Sequence, residues 1–192
     1  MDLQISLFLL FFLFTAGHSL SCYECTSQTC TQEIQCSHGL TNCFNAKFNV
    51  YVAPVTVRGC APSVCASGSI NLGFGRGSSL CCNTDLCNDQ KLPDLTNAPN
   101  GKTCYFCDGN TCSNTVNCSG TEDRCLKATA TIRGESQVFK GCVSKSLCDA
   151  TKKIPSLGSV SCCEGNLCNS VQSVTQSFLF LCCSLLSFIL LH

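Results

Sequence analysis

The chain has 192 residues, 12 basic and 12 acidic side chains, a net charge of zero, no tryptophan and 22 cysteines. A charged fraction of 12% without a basic cluster excludes a nucleic-acid surface or polybasic binding to membranes. Cysteine at this density indicates a disulfide scaffold made in an oxidising compartment.

In chain order, residues 5–14 (Ile-Ser-Leu-Phe-Leu-Leu-Phe-Phe-Leu-Phe) form the apolar core of a signal peptide over residues 1–19. Cleavage is expected after Ser19, although Asp2 stands where a basic residue is usual. Ten apolar residues reach only about 15 Å as a helix, half a bilayer core.

Twenty cysteines follow in two sets: 22, 25, 30, 36, 43, 60, 65, 81, 82, 87, and 104, 107, 112, 118, 125, 142, 148, 162, 163, 168. The offset is 82 for the first six, 83 for the seventh and 81 for the last three. Ten positions kept in step mark an internal duplication. Each copy spans about 66 residues between its outer cysteines, a size at which an apolar core alone is seldom sufficient. Both copies close on a knot, Cys81-Cys82-Asn83-Thr84-Asp85-Leu86-Cys87-Asn88 and Cys162-Cys163-Glu164-Gly165-Asn166-Leu167-Cys168-Asn169. Adjacent cysteines on an extended strand face opposite ways and need different partners.

In the first copy, over residues 20–90, Phe44, Ala46, Phe48, Val50 and Val52 alternate with polar neighbours, the period of a half-buried strand. Ala53-Pro54 interrupts, and Val55 to Cys60 returns as the second arm of a hairpin. The Gly- and Ser-rich stretch between Cys65 and Cys81, with Gly73-Phe74-Gly75-Arg76-Gly77, predicts a mobile loop. Residues 91–103 lack periodicity and hold two prolines, so they are expected to be a linker. The second copy, residues 104–169, repeats the hairpin with Leu126 to Ile132, a turn at Arg133-Gly134-Glu135-Ser136, and a return to Cys142. No helix is evident in either copy. Asn88 and Asn169, directly after the last cysteines, are expected to hydrogen-bond the backbone of the closing strands.

Residues 170–192 carry a second address. The polar spacer from Ser170 to Ser177 precedes an apolar run, Phe178–Leu191, of 14 residues where a spanning helix needs about 20. Small residue, spacer and short apolar run form the order of a glycosylphosphatidylinositol (GPI) signal, with Asn169 the first choice for attachment and Ser170 the second. Loss of the segment would remove Cys182 and Cys183 and leave an even twenty cysteines.

Cysteine order leaves the connectivity open. Leu20-Ser21-Cys22-Tyr23-Glu24-Cys25, Arg58-Gly59-Cys60 and the first knot resemble the three-finger domains of the urokinase-receptor and lymphocyte-antigen superfamily. So do Lys102-Thr103-Cys104-Tyr105-Phe106-Cys107, Lys140-Gly141-Cys142 and the second knot. The resemblance implies a small disulfide-rich all-β fold of two tandem three-finger domains, close to the two-module members that include gamma-type phospholipase inhibitors. It implies the pairs Cys22–Cys43, Cys25–Cys30, Cys36–Cys60, Cys65–Cys81 and Cys82–Cys87. For the second module it implies Cys104–Cys125, Cys107–Cys112, Cys118–Cys142, Cys148–Cys162 and Cys163–Cys168. Each module is then expected to fold on its own, since no implied bridge crosses the linker.

Cys22-x-x-Cys25 and Cys104-x-x-Cys107 look like redox or zinc motifs only in spacing. A redox pair needs a helix start to lower its thiol pKa, and beyond the expected signal peptide His38 is the sole histidine ahead of residue 170. The expectation is a binding protein without catalysis, metal or cofactor, contacting the membrane only through a lipid anchor. It is expected on the outer face of the plasma membrane with an extracellular protein as its partner, or alternatively as a soluble, secreted inhibitor of an extracellular phospholipase or protease. Candidate contacts are Tyr51, Val52, Pro54 and Val55, then Ile70, Leu72 and Phe74, then Ile132, Arg133, Ile154 and Leu157, unless these pack between the modules. Asn117-Cys118-Ser119 is the single Asn-x-Ser/Thr sequon, and its glycosylation competes with oxidation of Cys118.

Overall fold

The computed structural model describes residues 19–25, 29–50, 54–92, 95, 97–109, 111–155 and 157–170. The segment read as a signal peptide, up to residue 18, the spacer and apolar run from residue 171, and Tyr51 and Val52 lie outside the described residues. Among the described residues no helix is long and apolar enough to cross a membrane.

The first module contains β1 (Ser21–Glu24), β2 (Gln32–Gln35), β3 (Asn42–Val50), β4 (Pro54–Ala61), β5 (Gly68–Asn71) and β6 (Gly75–Cys82). The second contains β7 (Pro99–Phe106), β8 (Asn114–Ser119), β9 (Arg124–Ile132), β10 (Glu135–Val143), a helix α1 (Lys145–Thr151) and β11 (Val160–Cys163). β7 begins inside the stretch read as linker, with Pro99 paired to Ser119. β1–β2 and β7–β8 are separate ribbons, each forming the first finger of its module. The remaining strands form one sheet of seven in the order β11-β9-β10-β5-β6-β3-β4. Every neighbouring pair is antiparallel.

Ten disulfides are closed: Cys22–Cys43, Cys25–Cys30, Cys36–Cys60, Cys65–Cys81 and Cys82–Cys87 in the first module, and Cys104–Cys125, Cys107–Cys112, Cys118–Cys142, Cys148–Cys162 and Cys163–Cys168 in the second. The cores at the finger bases are mainly sulfur. Cys104, Cys118, Cys125 and Cys142 are fully buried together, as are Cys22 and Cys43 beside Cys36. Closing a loop of 16 to 24 residues removes denatured-chain entropy worth roughly 3 kcal/mol.

Asn88 and Asn169 lock each knot from within. The Asn88 side chain accepts from Tyr23 N at 2.9 Å and donates to Tyr23 O and Phe44 O at 2.8 and 3.0 Å. Asn169 does the same with Tyr105 N, Tyr105 O and Leu126 O, at 2.9, 2.9 and 2.8 Å. Both side chains bridge the first finger to the middle finger, which no backbone ladder does there.

Three local expectations are corrected. The Gly- and Ser-rich stretch is not a mobile loop but the hairpin β5–β6, with Gly68 opposite Ser79 and Asn71 opposite Arg76. Its glycines make room for a ring: a Cβ on Gly77 would stand 2.5 Å from Phe48 Cδ2, and one on Gly75 2.7 Å from Phe48 Cε1. An aromatic laid across strand glycines restores the packing they lack. Secondly, α1 is a helix where none was evident, and it occupies the place that β5 holds in the first copy. Cys148 on its buried side ties it to Cys162 of β11. Thirdly, β3 is covered on both faces at its base, so Asn45 is buried and donates Nδ2 to Gln90 O at 2.9 Å.

The modules meet strand to strand. β5 pairs with β10 through Asn71↔Cys142 and Ile70↔Val143. Ser144 N donates to Ser69 O and Ser69 N donates to Ser144 Oγ, both at 2.9 Å. Ser146 Oγ donates to Ser67 O at 2.6 Å. Two modules that share no bridge therefore share a sheet.

Candidate ligand-binding surface

Strand alternation carries Ala46 and Phe48 of β3, Val55 and Val57 of β4 and Ile70 of β5 to one face of the sheet. Leu126 and Val143 of the second module continue that face, and Leu147 and Thr151 of α1 form its far wall. Together they line an open groove of about 270 Å³ that crosses the junction. One end is solvated apolar surface, with Val55 53% and Val57 46% exposed on the edge strand β4. The other end is packed: Leu126 and Val143 are buried, with Ile70, Leu72 and Leu147 against them. A contiguous apolar strip on a small secreted scaffold is the kind of surface that marks protein contact.

The candidate contacts divide accordingly. Pro54 and Val55 are exposed at the start of the groove. Ile70 and Leu72 fill the seam between the modules instead of standing free. Phe74 and Ile132 line a second depression beside Cys107, Cys112 and Phe139, away from the groove. Ile132 and Arg133 are exposed at the tip of the β9–β10 hairpin, where Arg133 has a positive φ of 53°. Ile154 is exposed after α1, and Leu157 is half-buried. Val57, Phe48 and Leu147 are not among the contacts expected from the sequence. Val57 was within reach, two residues from Val55 on the same strand, whereas Leu147 required α1.

A polar cleft of about 490 Å³ also lies between the modules. Arg76 of β6 enters it, donating to Asn97 Oδ1 at 2.6 Å and to Ser119 Oγ, with Nη2 4.0 Å from Glu122 Oε1. Glu122 is fully buried and its Oε2 accepts from Ser119 N at 2.9 Å. Burial pushes its carboxyl above the usual range, opposed by the Ser119 backbone bond and the Arg76 charge. In the sequon, Asn117 is exposed and accepts from Thr103 Oγ1 at 3.2 Å, while Cys118 and Ser119 are buried.

Sulfurs of Cys22, Cys36 and Cys60, and of Cys104, Cys118 and Cys142, lie within 4.8 Å of one another. Each is already oxidised into a bridge and offers no thiolate for a metal.

The family model for snake toxin and toxin-like proteins matches residues 20–88 and again 103–169. The chain belongs to that family. It is a small disulfide-rich protein of two tandem three-finger modules in the urokinase-receptor and lymphocyte-antigen superfamily. It is 30% identical over 187 residues to the urokinase plasminogen activator surface receptor of Rattus norvegicus, covering 81% of this chain and 56% of the receptor. It is 30% identical over 162 residues to phospholipase A2 inhibitor CNF of Crotalus durissus terrificus, covering 71% of this chain and 80% of the inhibitor. Lymphocyte antigen 6E of Gallus gallus is 30% identical over 80 residues, 38% of this chain and 63% of the antigen. The chain thus spans just over half the length of the rat receptor it matches.

Proposed function

We propose that this protein is a non-enzymatic binding protein of the cell surface, held by a GPI anchor, which seats an extracellular protein ligand in the groove across its two modules. The observation that carries the reading is the groove itself, because both modules build it and Val55 and Val57 stand exposed at its solvated end. The relatives named as a surface receptor and as an inhibitor are both binders, which supports the class. The anchor is supported by the polar spacer and the 14-residue apolar run, and secretion by the apolar core at residues 5–14.

A second reading, a soluble inhibitor of a phospholipase or protease, draws support from the 80% coverage of the phospholipase A2 inhibitor. Treatment of intact expressing cells with a GPI-specific phospholipase separates the two. Release into the medium is expected for the anchored form; secretion without treatment favours the inhibitor. Urokinase and secreted phospholipases A2 are then passed over immobilised protein, beside a Val55→Glu, Val57→Glu variant. Equal binding of a captured ligand to parent and variant removes the groove from the account.

A further inference from the structure

The duplication sets two basic residues in equivalent places with different partners. Arg58 stands two residues before Cys60, and Lys140 two before Cys142. Arg58 donates Nη1 to Cys30 O at 3.0 Å and to Asp89 Oδ1 at 3.2 Å. Asp89 is the residue directly after the knot asparagine Asn88. Its counterpart after Asn169 is Ser170, which has no charge.

Lys140 is nevertheless 2% exposed, and its Nζ has no hydrogen-bond partner among the described residues. The ammonium lies 5.9 Å from the centre of the Tyr105 ring. Its cross-strand neighbour is a second cation, Lys127, where the first module has Asn45 opposite Arg58. Burial first, and Lys127 second, pull the Lys140 ammonium below its ordinary value. A buried ammonium without an acceptor is costly, and the first module shows where an anion satisfies this position.

We propose that Lys140 is the seat of an anionic group carried at the position of Ser170, and that this group is the phosphate of a phosphoethanolamine joined to Asn169. This rests on the anchor reading above and selects Asn169 as the attachment residue. In the joining reaction the ethanolamine amine attacks the Asn169 carbonyl and the Asn169–Ser170 peptide bond breaks. The proton lost by the attacking amine leaves on the amino group of Ser170, so one amide replaces another without oxidant or reductant. The product has a backbone-like amide nitrogen followed by two carbons, as aspartate has. Its charged oxygens come one bond later than those of an aspartate side chain. The anchor phosphate therefore stands in for Asp89, and the Asn169 side chain keeps its bonds to Tyr105 and Leu126.

The test uses protein released from cells by a GPI-specific phospholipase and carrying isotope-labelled lysine. Mass analysis of its C-terminal peptide should show Asn169 bearing ethanolamine phosphate. Absence of any release refutes the anchor reading itself, whereas release of a peptide ending elsewhere refutes only this assignment. The Lys140 ammonium, followed by NMR, should titrate at least about one pH unit higher than after hydrolysis of the phosphodiester to the bare ethanolamide. An unchanged titration overturns the proposal. In the unanchored chain ending with a neutral Gly-Ser tail after residue 170, Ser170→Asp should raise the Lys140 titration and the melting temperature. The gain in melting temperature should vanish in Lys140→Met; its persistence there overturns the pairing. Inorganic phosphate at millimolar concentration should leave Lys140 unchanged in the Ser170 chain. A shift would reassign the seat to a free phosphate.

Discussion

Gly141 of the second module lies against the Asn71 carbonyl of the first, so closely that a Cβ on Gly141 would stand 2.1 Å from that oxygen. The obstruction is backbone, which cannot swing away. Its counterpart Gly59 lies on the free edge strand β4, where a Cβ would meet only the rim of Phe44 at 3.3 Å. Gly141→Ala is expected to open the β5–β10 seam at a cost of about 1–3 kcal/mol, while Gly59→Ala costs less. Hydrogen exchange at Ser69 and Ser144, whose amides bond across the seam, should quicken in the first variant and stay slow in the second. Protection retained in Gly141→Ala contradicts the shared sheet.

Glu122 makes that same seam sensitive to pH. Because burial raises its carboxyl in the folded state, folding favours the protonated form. This contribution is fully present below the unfolded carboxyl pKa of about 4.3 and is lost as pH rises through the higher folded value. Glu122→Gln keeps a polar group near Ser119 and cannot ionise. The melting temperature of the parent relative to this variant should therefore fall between pH 4 and pH 7, by about 2–4 °C for each 1 kcal/mol lost. A difference constant with pH counts against the shift.

Removing either knot asparagine should damage its module from within. Asn88→Ala strips three hydrogen bonds and leaves Tyr23 and Phe44 backbone groups buried without partners, for about 2–4 kcal/mol. Asn88→Asp should be worse, since a carboxylate would then face the carbonyls of Tyr23 and Phe44. Urea unfolding with all bridges intact measures both. Equal stability of the Ala and Asp variants would mean the two donated bonds are unimportant.

Glycan addition at Asn117 should be partial, because Cys118 and Ser119 become buried as the module oxidises. Mild reductant during synthesis should raise the fraction whose mass falls on glycosidase treatment. No shift in any fraction, with or without reductant, rules out use of the sequon.

Much of the architecture was legible in one dimension. Ten cysteines repeated at offsets of 81 to 83 declare two copies of one module, and the period of two in Phe44, Ala46 and Phe48 marks a strand, because both are local properties of the chain. Asn88 and Asn169 were readable for the same reason, sitting one residue from a covalent knot. The third-finger segments were not. Gly73-Phe74-Gly75-Arg76-Gly77 reads as loose chain until Phe48, 29 residues before Gly77, lays its ring across Gly75 and Gly77. Glycine as slack and glycine as clearance are identical in sequence; only the neighbour decides.

What the sequence determined by itself is the scaffold: two disulfide modules, their middle hairpins and their closing knots. What only the tertiary structure decided is how the copies differ and combine. α1 replaces one finger strand, β10 takes β5 as its neighbour, and Val55, Val57, Ile70 and Leu147 come to one face. The seam rests on contacts 70 or more residues apart, such as Ser69 with Ser144. Lys140 illustrates the same division. Its likeness to Arg58 is visible in sequence, but its burial without a partner depends on where Tyr105 and Lys127 are folded against it.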